Sequence, residues 1–382
     1  MSKATKITII VLLVAVLAIS CGACSELGGK TRSGPSEDSG EGLDVIEQAW
    51  DIIFTEYVEK DKIDAVNLTR AAIEGMVEAL DDPYTSYLDI RDYEVGESRL
   101  RGEFEGIGAH VTIEDERLTI IAPIAGSPAE GAGIKAGDKI LEIEGVSTEE
   151  MSLAEGVLRI RGPRGTSVKL LILHVDESNP LEIEIIRDLI EVSSVRFEMR
   201  EDIAYINITQ FSERTDEEML PVLQSTIENN ARGIILDLRH NPGGLLGTVV
   251  NVVSYFLQEG VVVNVVRKQE IVDTHEVRTG GLIIDLPIVV LVDGASASGS
   301  EVLAGALQDH DRAIIAGKKT FGKGSVNSLY PLDDGSGIYL TSARWTTPNG
   351  RLIEGEGIEP DFELELEDED SIQWAMEYLT GM

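Results

Sequence analysis

Residues 287–308 read PIVVLVDGASASGSEVLAGALQ. From Pro287 to Val292 the run is apolar and uninterrupted, as in a strand buried on both faces. From Glu301 to Gln308 the pattern turns helical. The residues between, Asp293 to Ser300, are mostly small and let a strand turn sharply into a helix. A serine on such a turn stands at the positive end of the helix, which is the logic of a nucleophile elbow without its G-x-S-x-G spelling. The serines have a second reading as plain helix caps, because Ser298 and Glu301 stand at capping-box spacing.

Working outward, similar short apolar runs occur at Ile203–Ile208, Gly233–Leu238 and Ala313–Ala316. Helical patterns at Glu217–Ile227, Leu246–Phe256 and Glu301–Gln308 separate them. This alternation predicts an α/β unit with a largely parallel sheet and covering helices. In such sheets the carboxyl ends of the strands carry the site. A second strand end reads Asp237-Leu238-Arg239-His240-Asn241-Pro242-Gly243-Gly244 and runs straight into a helix near Leu245. Backbone N–H groups at a helix start can hold a developing oxyanion. The alternative there is an ordinary tight turn.

A serine nucleophile needs a base. The chain has five histidines: His110, His174, His240, His275 and His310. His174 ends an apolar strand and His310 lies just past the helix after Ser298, so both read as structural. His240 adjoins the Asn-Pro-Gly-Gly loop and stays a candidate. Lys323, in Thr320-Phe321-Gly322-Lys323-Gly324-Ser325, is the better one, with glycines on both sides where backbone must approach closely. A lysine acts as a base near neutrality only if its pKa falls from about 10.4 toward about 7–8. Burial beside apolar groups such as Phe321 would do that, since desolvation disfavours the ammonium. A solvated loop charge and a phosphate-binding lysine are the alternatives, although no Walker spelling precedes it.

Two further units precede this one. Val45, Trp50, Ile53 and Tyr57 recur at helical spacing, and a second helix is expected near Leu68–Leu80, ended by Asp81-Asp82-Pro83. Short strand patterns follow at Ile107–Ile113, Leu118–Ile124, Lys139–Ile143, Val168–His174 and Leu181–Ile186. Helices are expected at Leu153–Arg159 and just after Ser127-Pro128, with the serine as cap. Together these describe a small barrel-like, β-rich domain.

At 382 residues and 43% hydrophobic content the chain can build more than one core. A net charge of −36 argues against a nucleic-acid partner and against electrostatic binding to anionic lipid. Membrane attachment would come from the start of the chain. Lys3 and Lys6 precede an apolar run from Ile7 to Ile19, the form of an export signal. Ala18-Ile19-Ser20-Cys21 resembles a bacterial lipoprotein cleavage site, with Cys21 as the lipidated residue; an uncleaved anchor and an ordinary cleaved signal are the alternatives. All three place the body outside the cytoplasm. No cysteine lies beyond Cys24, which excludes a cysteine nucleophile, a Cys-ligated zinc and a disulfide scaffold in the folded body.

Taken together, these segments resemble the carboxy-terminal-processing (tail-specific) serine peptidases, from about Val45 to Asp361. The resemblance rests on Asp82-Pro83-Tyr84-Thr85-Ser86-Tyr87-Leu88, Phe104-Glu105-Gly106-Ile107-Gly108, Ser127-Pro128-Ala129, Ala132–Asp138, Thr347-Pro348-Asn349-Gly350 and Gly355–Asp361. It implies a ClpP/crotonase-like protease core with a mixed sheet over 191–382 and a PDZ-like domain over 101–190. A helical region over 44–100, a flexible linker over 25–43 and the signal or anchor over 1–24 would precede them. It further implies Ser298 as nucleophile, Lys323 as base, and Glu301 orienting the lysine by hydrogen bonding. Gly244 or Gly243, with Gly299, would donate to the oxyanion, and Ser296 and Ser300 are the competing serines. Gly299 stands where the family commonly has alanine. Asn327 stands where it usually has glutamine, and would support the site with a shorter reach.

The chemistry implied takes no metal or cofactor. Gly106, Ile107 and Gly108 would receive a substrate's C-terminal carboxylate, with the apolar Ile107 favouring an apolar end residue. The expected partners are proteins or peptides with exposed apolar C-termini, and the N-terminal helices suit a homodimer. Two rival readings are a PDZ adaptor or chaperone with an inactive core, and a crotonase-like enzyme acting on thioesters.

Overall fold

The computed structural model describes residues 37–381 except 115–116, 150, 176 and 366–367. The signal or anchor over 1–24, with Cys21, therefore lies outside the described residues.

The core sheet has six strands in the order Val195–Arg200, Ile203–Ile208, Gly233–Asp237, Ile288–Val292, Ile314–Gly317, Phe362–Glu363. Its first pair is antiparallel and every later pair parallel. Side chains alternate across the sheet with period two. Ile234, Leu236, Val290 and Val292 pack with the helices Leu246–Ser254 and Gly299–Asp309 on one face. Ile235, Val289 and Leu291 pack on the other face with Ile372, Ala375 and Leu379 of the helix Asp368–Thr380. Both faces are covered, which is why these strands are apolar without interruption.

A second, antiparallel sheet lies beyond the expected elements. It joins the hairpin Val261–Arg267 and Glu270–Glu276 to the hairpin Ser325–Pro331 and Gly337–Thr346, and adds the short strand Ser86–Leu88. The first hairpin turns on Lys268 and Gln269, both at positive φ (48° and 70°). Neither residue carries the Asn-Gly or Asp-Gly signal of such turns. Ser86–Leu88 is only three residues long, yet it ties the N-terminal region to the protease core through the strand Gly337–Thr346.

The β-rich unit has a sheet in the order Ala109–Glu114, Arg117–Pro123, Lys139–Ile143, Ser167–Leu173, Leu181–Ile186, with Val146–Ser147 on its third strand. The strands Glu103–Gly106 and Asp188–Glu191 pair beside it. Ser127 caps the short helix Pro128–Gly131 as expected, its Oγ accepting from Glu130 N. Ser152 caps the helix Leu153–Ile160 in the same way.

Two corrections fall in the N-terminal region. Its first helix, Glu37–Glu56, begins within the stretch expected to be linker, because Gly40 and Gly42 cost a helix only about 1 kcal/mol each rather than forbidding it. A third helix, Ile90–Arg101, follows the expected two; Asp89 caps it, and Gly102 ends it in the left-handed conformation. No described helix is long and apolar enough to cross a membrane.

Candidate active site

Ser298 stands at the N-cap of the helix Gly299–Asp309 with φ 52° and ψ −111°. Helix caps ordinarily take extended backbone, as Asp64, Ser127 and Ser152 do in this chain. A non-glycine residue at positive φ costs on the order of 1–3 kcal/mol and persists only where its surroundings enforce it. A capping role alone therefore does not account for Ser298. The Asp293 carboxylate accepts from Ala295 N and Ser296 N, both at 2.9 Å, and fixes the turn that enforces this geometry. The competing serines are buried, with their hydroxyls given to carbonyls: Ser296 Oγ to Leu238 O at 2.8 Å, and Ser300 Oγ to Asn241 O at 2.9 Å.

The Asn-Pro-Gly-Gly loop lies against this turn. Ala297 N donates to Asn241 O at 3.0 Å, and Asn241 Nδ2 donates to Ile208 O at 2.8 Å. Gly243 and Gly244 have φ of 100° and 149°. A Cβ on Gly243 would stand 2.6 Å from Gly299 N, and one on Gly244 2.1 Å from Phe211 O. The two expected oxyanion candidates in this loop are not equivalent: Gly243 N–H donates to Asn241 Oδ1 at 2.8 Å. Among the described residues neither Gly244 N–H nor Gly299 N–H has an acceptor. Gly299 also has a local reason to be glycine, since an added Cβ would stand 2.9 Å from Val249 Cγ2.

Lys323 is 2% exposed. Burial lowers its pKa to about 8, against the opposing pull of Glu354, Glu301 and Asp82. The expected cover is wrong in one respect: Phe321 is 57% exposed. Its backbone N–H is fixed to Ser296 O at 3.0 Å while its ring faces outward. The rings of Tyr84 and Tyr339 cover the lysine instead, their centroids 5.5 and 5.7 Å from Nζ. Tyr339 comes from the unexpected sheet.

Glu301 joins the two halves of the site, chiefly through backbone. Its Oε2 accepts from Ser298 N and Lys323 N, each at 2.8 Å. Its Oε1 accepts from Gly322 N and Thr320 Oγ1, each at 2.6 Å. Burial raises the Glu301 pKa, and these four donors oppose the rise. Asn327 is spent on the N-terminal segment: its Nδ2 donates to Tyr84 O at 2.9 Å and Thr341 Oγ1 at 3.1 Å, and its Oδ1 accepts from Ser325 Oγ at 2.9 Å.

The segment Asp82–Leu88 thus does more than mark a domain boundary. Asp82 accepts from Thr85 Oγ1 at 2.7 Å, and Thr85 Oγ1 accepts from Thr341 N at 3.1 Å, which holds Tyr84 over the lysine. Asp82, Tyr84, Tyr339 and Glu354 are the surroundings that sequence reasoning missed. Only the Asp-Pro-Tyr-Thr spelling signalled any of them, and it did not say against what the segment packs.

His240 Nδ1 lies 2.8 Å from Asp293 Oδ2 with its side chain 70% exposed, which makes it a brace between the two loops. His174 pairs with Asp138, and His310 Nε2 lies 2.8 Å from Val261 O. Among the described residues no group of three or more His, Cys, Asp or Glu could hold a metal ion.

In the β-rich domain, Gly108 has φ 76°, and its carbonyl accepts from Ser127 Oγ and Ile124 N, each at 2.8 Å. Among the described residues the N–H groups of Ile107 and Gly108 have no acceptor. Gly106 ends the strand that pairs with Asp188–Glu191. The Ile107 side chain is 2% exposed and packs in the domain's core, so it does not line the receptor as expected.

The family model for peptidase family S41 matches residues 202–364. A PDZ-domain model matches 97–173, and one described as the activating protease CtpB N-terminal domain matches 22–91. The carboxy-terminal-processing protease of Bartonella bacilliformis is 41% identical over 307 residues, covering 79% of this chain and 70% of that protein. The carboxy-terminal processing protease CtpA of Bacillus subtilis is 37% identical over 379 residues, covering 96% and 79%. Among solved structures, the photosystem II D1 C-terminal processing protease matches with a TM-score of 0.53 at 28% identity, over 88% of this chain and 94% of that one.

Proposed function

This chain belongs to the carboxy-terminal processing proteases of peptidase family S41, and from that premise we propose that Ser298 is its nucleophile, Lys323 its general base, and Gly244 and Gly299 its oxyanion donors. The observation that carries the reading is the shared carboxylate. Glu301 Oε2 binds the backbone N–H of a strained serine and of a buried lysine whose pKa lies at about 8.

The neutral Lys323 amine takes the Ser298 Oγ proton as Oγ bonds to the scissile carbonyl carbon. The carbonyl oxygen becomes an oxyanion facing the Gly244 and Gly299 N–H groups. The C–N bond then breaks, and the Lys323 ammonium gives its proton to the departing amine. Water, deprotonated by the same amine, releases the acyl group and restores Ser298.

The PDZ domain binds peptide or protein substrate. On this reading it receives an exposed C-terminal carboxylate at the N–H groups of Ile107 and Gly108. Attachment to the membrane through Cys21, a location outside the cytoplasm, and pairing of two chains through the N-terminal helices complete the proposal. Leu43, Val45, Ile46 and Ile52 leave an apolar helix surface for that pairing.

The test uses the detergent-solubilised full chain and an unfolded substrate with an apolar C-terminus. Cleavage by the native protein, and its loss in Ser298→Ala and in Lys323→Ala, is the expected result. Equal cleavage by Lys323→Ala would overturn the dyad, and binding without cleavage by the native protein would favour an adaptor. Mass spectrometry of the mature N-terminus tests lipidation, and sedimentation tests the pairing.

A further inference from the structure

Three carboxylates act on Lys323, and two of them are already used. Glu301 accepts four donors, which is about the capacity of a carboxylate. Asp82 is held by Thr85, Thr341 and the Tyr84 backbone. Glu354 differs. It accepts from the backbone N–H of Gly324, next to the lysine. The two backbone segments touch there, since a Cβ on Gly324 would stand 2.1 Å from Glu354 N. Its Oε2 is buried with no hydrogen-bond partner among the described residues, and its ion-pair neighbour Arg344 Nε is 3.9 Å away. A buried carboxylate oxygen without a partner calls for an explanation.

We propose that Glu354 is a positioning residue of the reaction, a second carboxylate that holds the lysine loop through Gly324 and supplies the counter-charge to the ammonium that Lys323 becomes. The inference rests on the reading of Ser298 and Lys323 as the dyad. Taking the serine's proton creates a cation in a water-poor site, and a fixed anion beside a protonated base lowers the cost of that step. Glu301 cannot do the same as well, because its lone pairs already serve four donors. The groups facing Lys323 are Glu301 from the nucleophile helix, Asp82 and Tyr84 from the N-terminal segment, Tyr339 from the strand Gly337–Thr346, and Glu354 itself, which Arg344 of that strand approaches in turn.

The pH profile of kcat/KM tests it, using full-length native protein, Glu354→Gln, Glu354→Asp and Lys323→Ala on an unfolded protein substrate. Glutamine keeps an acceptor for Gly324 N–H but removes the charge. With the anion gone the ammonium is less favoured, so the acidic limb moves down by about 1 pH unit. The plateau falls about tenfold, because the counter-charge is lost in the transition state. Glu354→Asp keeps the limb near its native position. For a variant too slow to turn over, fluorophosphonate labelling of Ser298, read by intact mass over the same pH range, replaces turnover. A Glu354→Gln limb that coincides with the native one, or moves up, overturns the proposal. So does loss of labelling at every pH in a protein that still melts cooperatively. Full activity in Lys323→Ala would instead remove the dyad reading beneath it, so the two failures are distinguishable.

Discussion

Ser298 and Lys323 are both held in unfavourable states, one in backbone geometry and one in solvation, and each makes a prediction about stability as well as activity. Among the described helix N-caps only Ser298 has positive φ. Glycine tolerates that geometry, so Ser298→Gly removes turnover while raising stability by about 1 kcal/mol. Ser298→Ala removes turnover without that gain. Urea titration of the three proteins checks both; a Ser298→Gly protein less stable than Ser298→Ala would show that the turn is not strained. For Lys323 the sign follows from its folded pKa of about 8, below the ordinary 10.5. Below pH 8 the lysine is protonated in both states, and the folded protein bears the full burial cost, about 3 kcal/mol. Between 8 and 10.5 the unfolded chain binds the extra proton and stability rises with pH. Lys323→Met is therefore more stable than native at pH 7, by about 2–3 kcal/mol, and the advantage fades between pH 8 and 10.5. At this scale much was legible, because small residues between a buried strand and a helix, and a glycine-flanked lysine, leave few chemical options. What stayed hidden was direction: sequence gives no sign that Phe321 faces outward while Tyr84 and Tyr339 cover the amine.

Elements differed in how much of them could be read. The parallel strands Gly233–Asp237 and Ile288–Val292 are buried throughout, and a run of apolar residues announces that environment. The antiparallel sheet gives weaker signals, since its hairpin at Lys268-Gln269 lacks the usual turn residues and Ser86–Leu88 is too short to show a period. That short strand nevertheless has a mechanical role. Asn327 binds the Tyr84 carbonyl and Thr341, while Thr85 binds Thr341 N, so one hydrogen-bonded seam fixes the N-terminal segment to the strand that covers the lysine. Asn327→Ala leaves those partners unsatisfied, at a cost of about 1–3 kcal/mol. Tyr84 then loosens over the amine, water reaches it, and the lysine pKa rises toward its solvated value. The expected result is an acidic limb of the pH–rate profile displaced upward, opposite to the displacement expected of Glu354→Gln. Reduced stability with an unmoved limb would make the seam purely structural.

At the scale of the whole molecule, the proposed function assigns recognition and cleavage to separate units, one with the proposed receptor loop at Ile107-Gly108 and one with the proposed nucleophile Ser298. The division into a β-rich unit and an α/β unit was readable because their strand patterns differ. How the N-terminal segment knits into the core was not, because strand pairing across some 250 residues of sequence leaves no local trace. The separation has a kinetic consequence. If the PDZ domain receives a free C-terminal carboxylate, its loss should cost the enzyme preference for chain ends and leave the chemistry of Ser298 intact. Gly108 is the position to test, since a Cβ there would stand 2.4 Å from Ser127 Cβ in a backbone conformation that favours glycine. Gly108→Ala should displace the loop that presents the Ile107 and Gly108 N–H groups. Native protein is expected to cleave a peptide with a free carboxylate at least tenfold faster, in kcat/KM, than its C-terminally amidated twin; one lost charged hydrogen-bonding contact is worth about that much. In Gly108→Ala the two peptides are expected to converge on the slower rate, with fluorophosphonate labelling of Ser298 unchanged. A preserved preference for the free carboxylate would move the receptor elsewhere on the domain. Loss of labelling would mean instead that the PDZ loop reaches into the assembly of the active site itself.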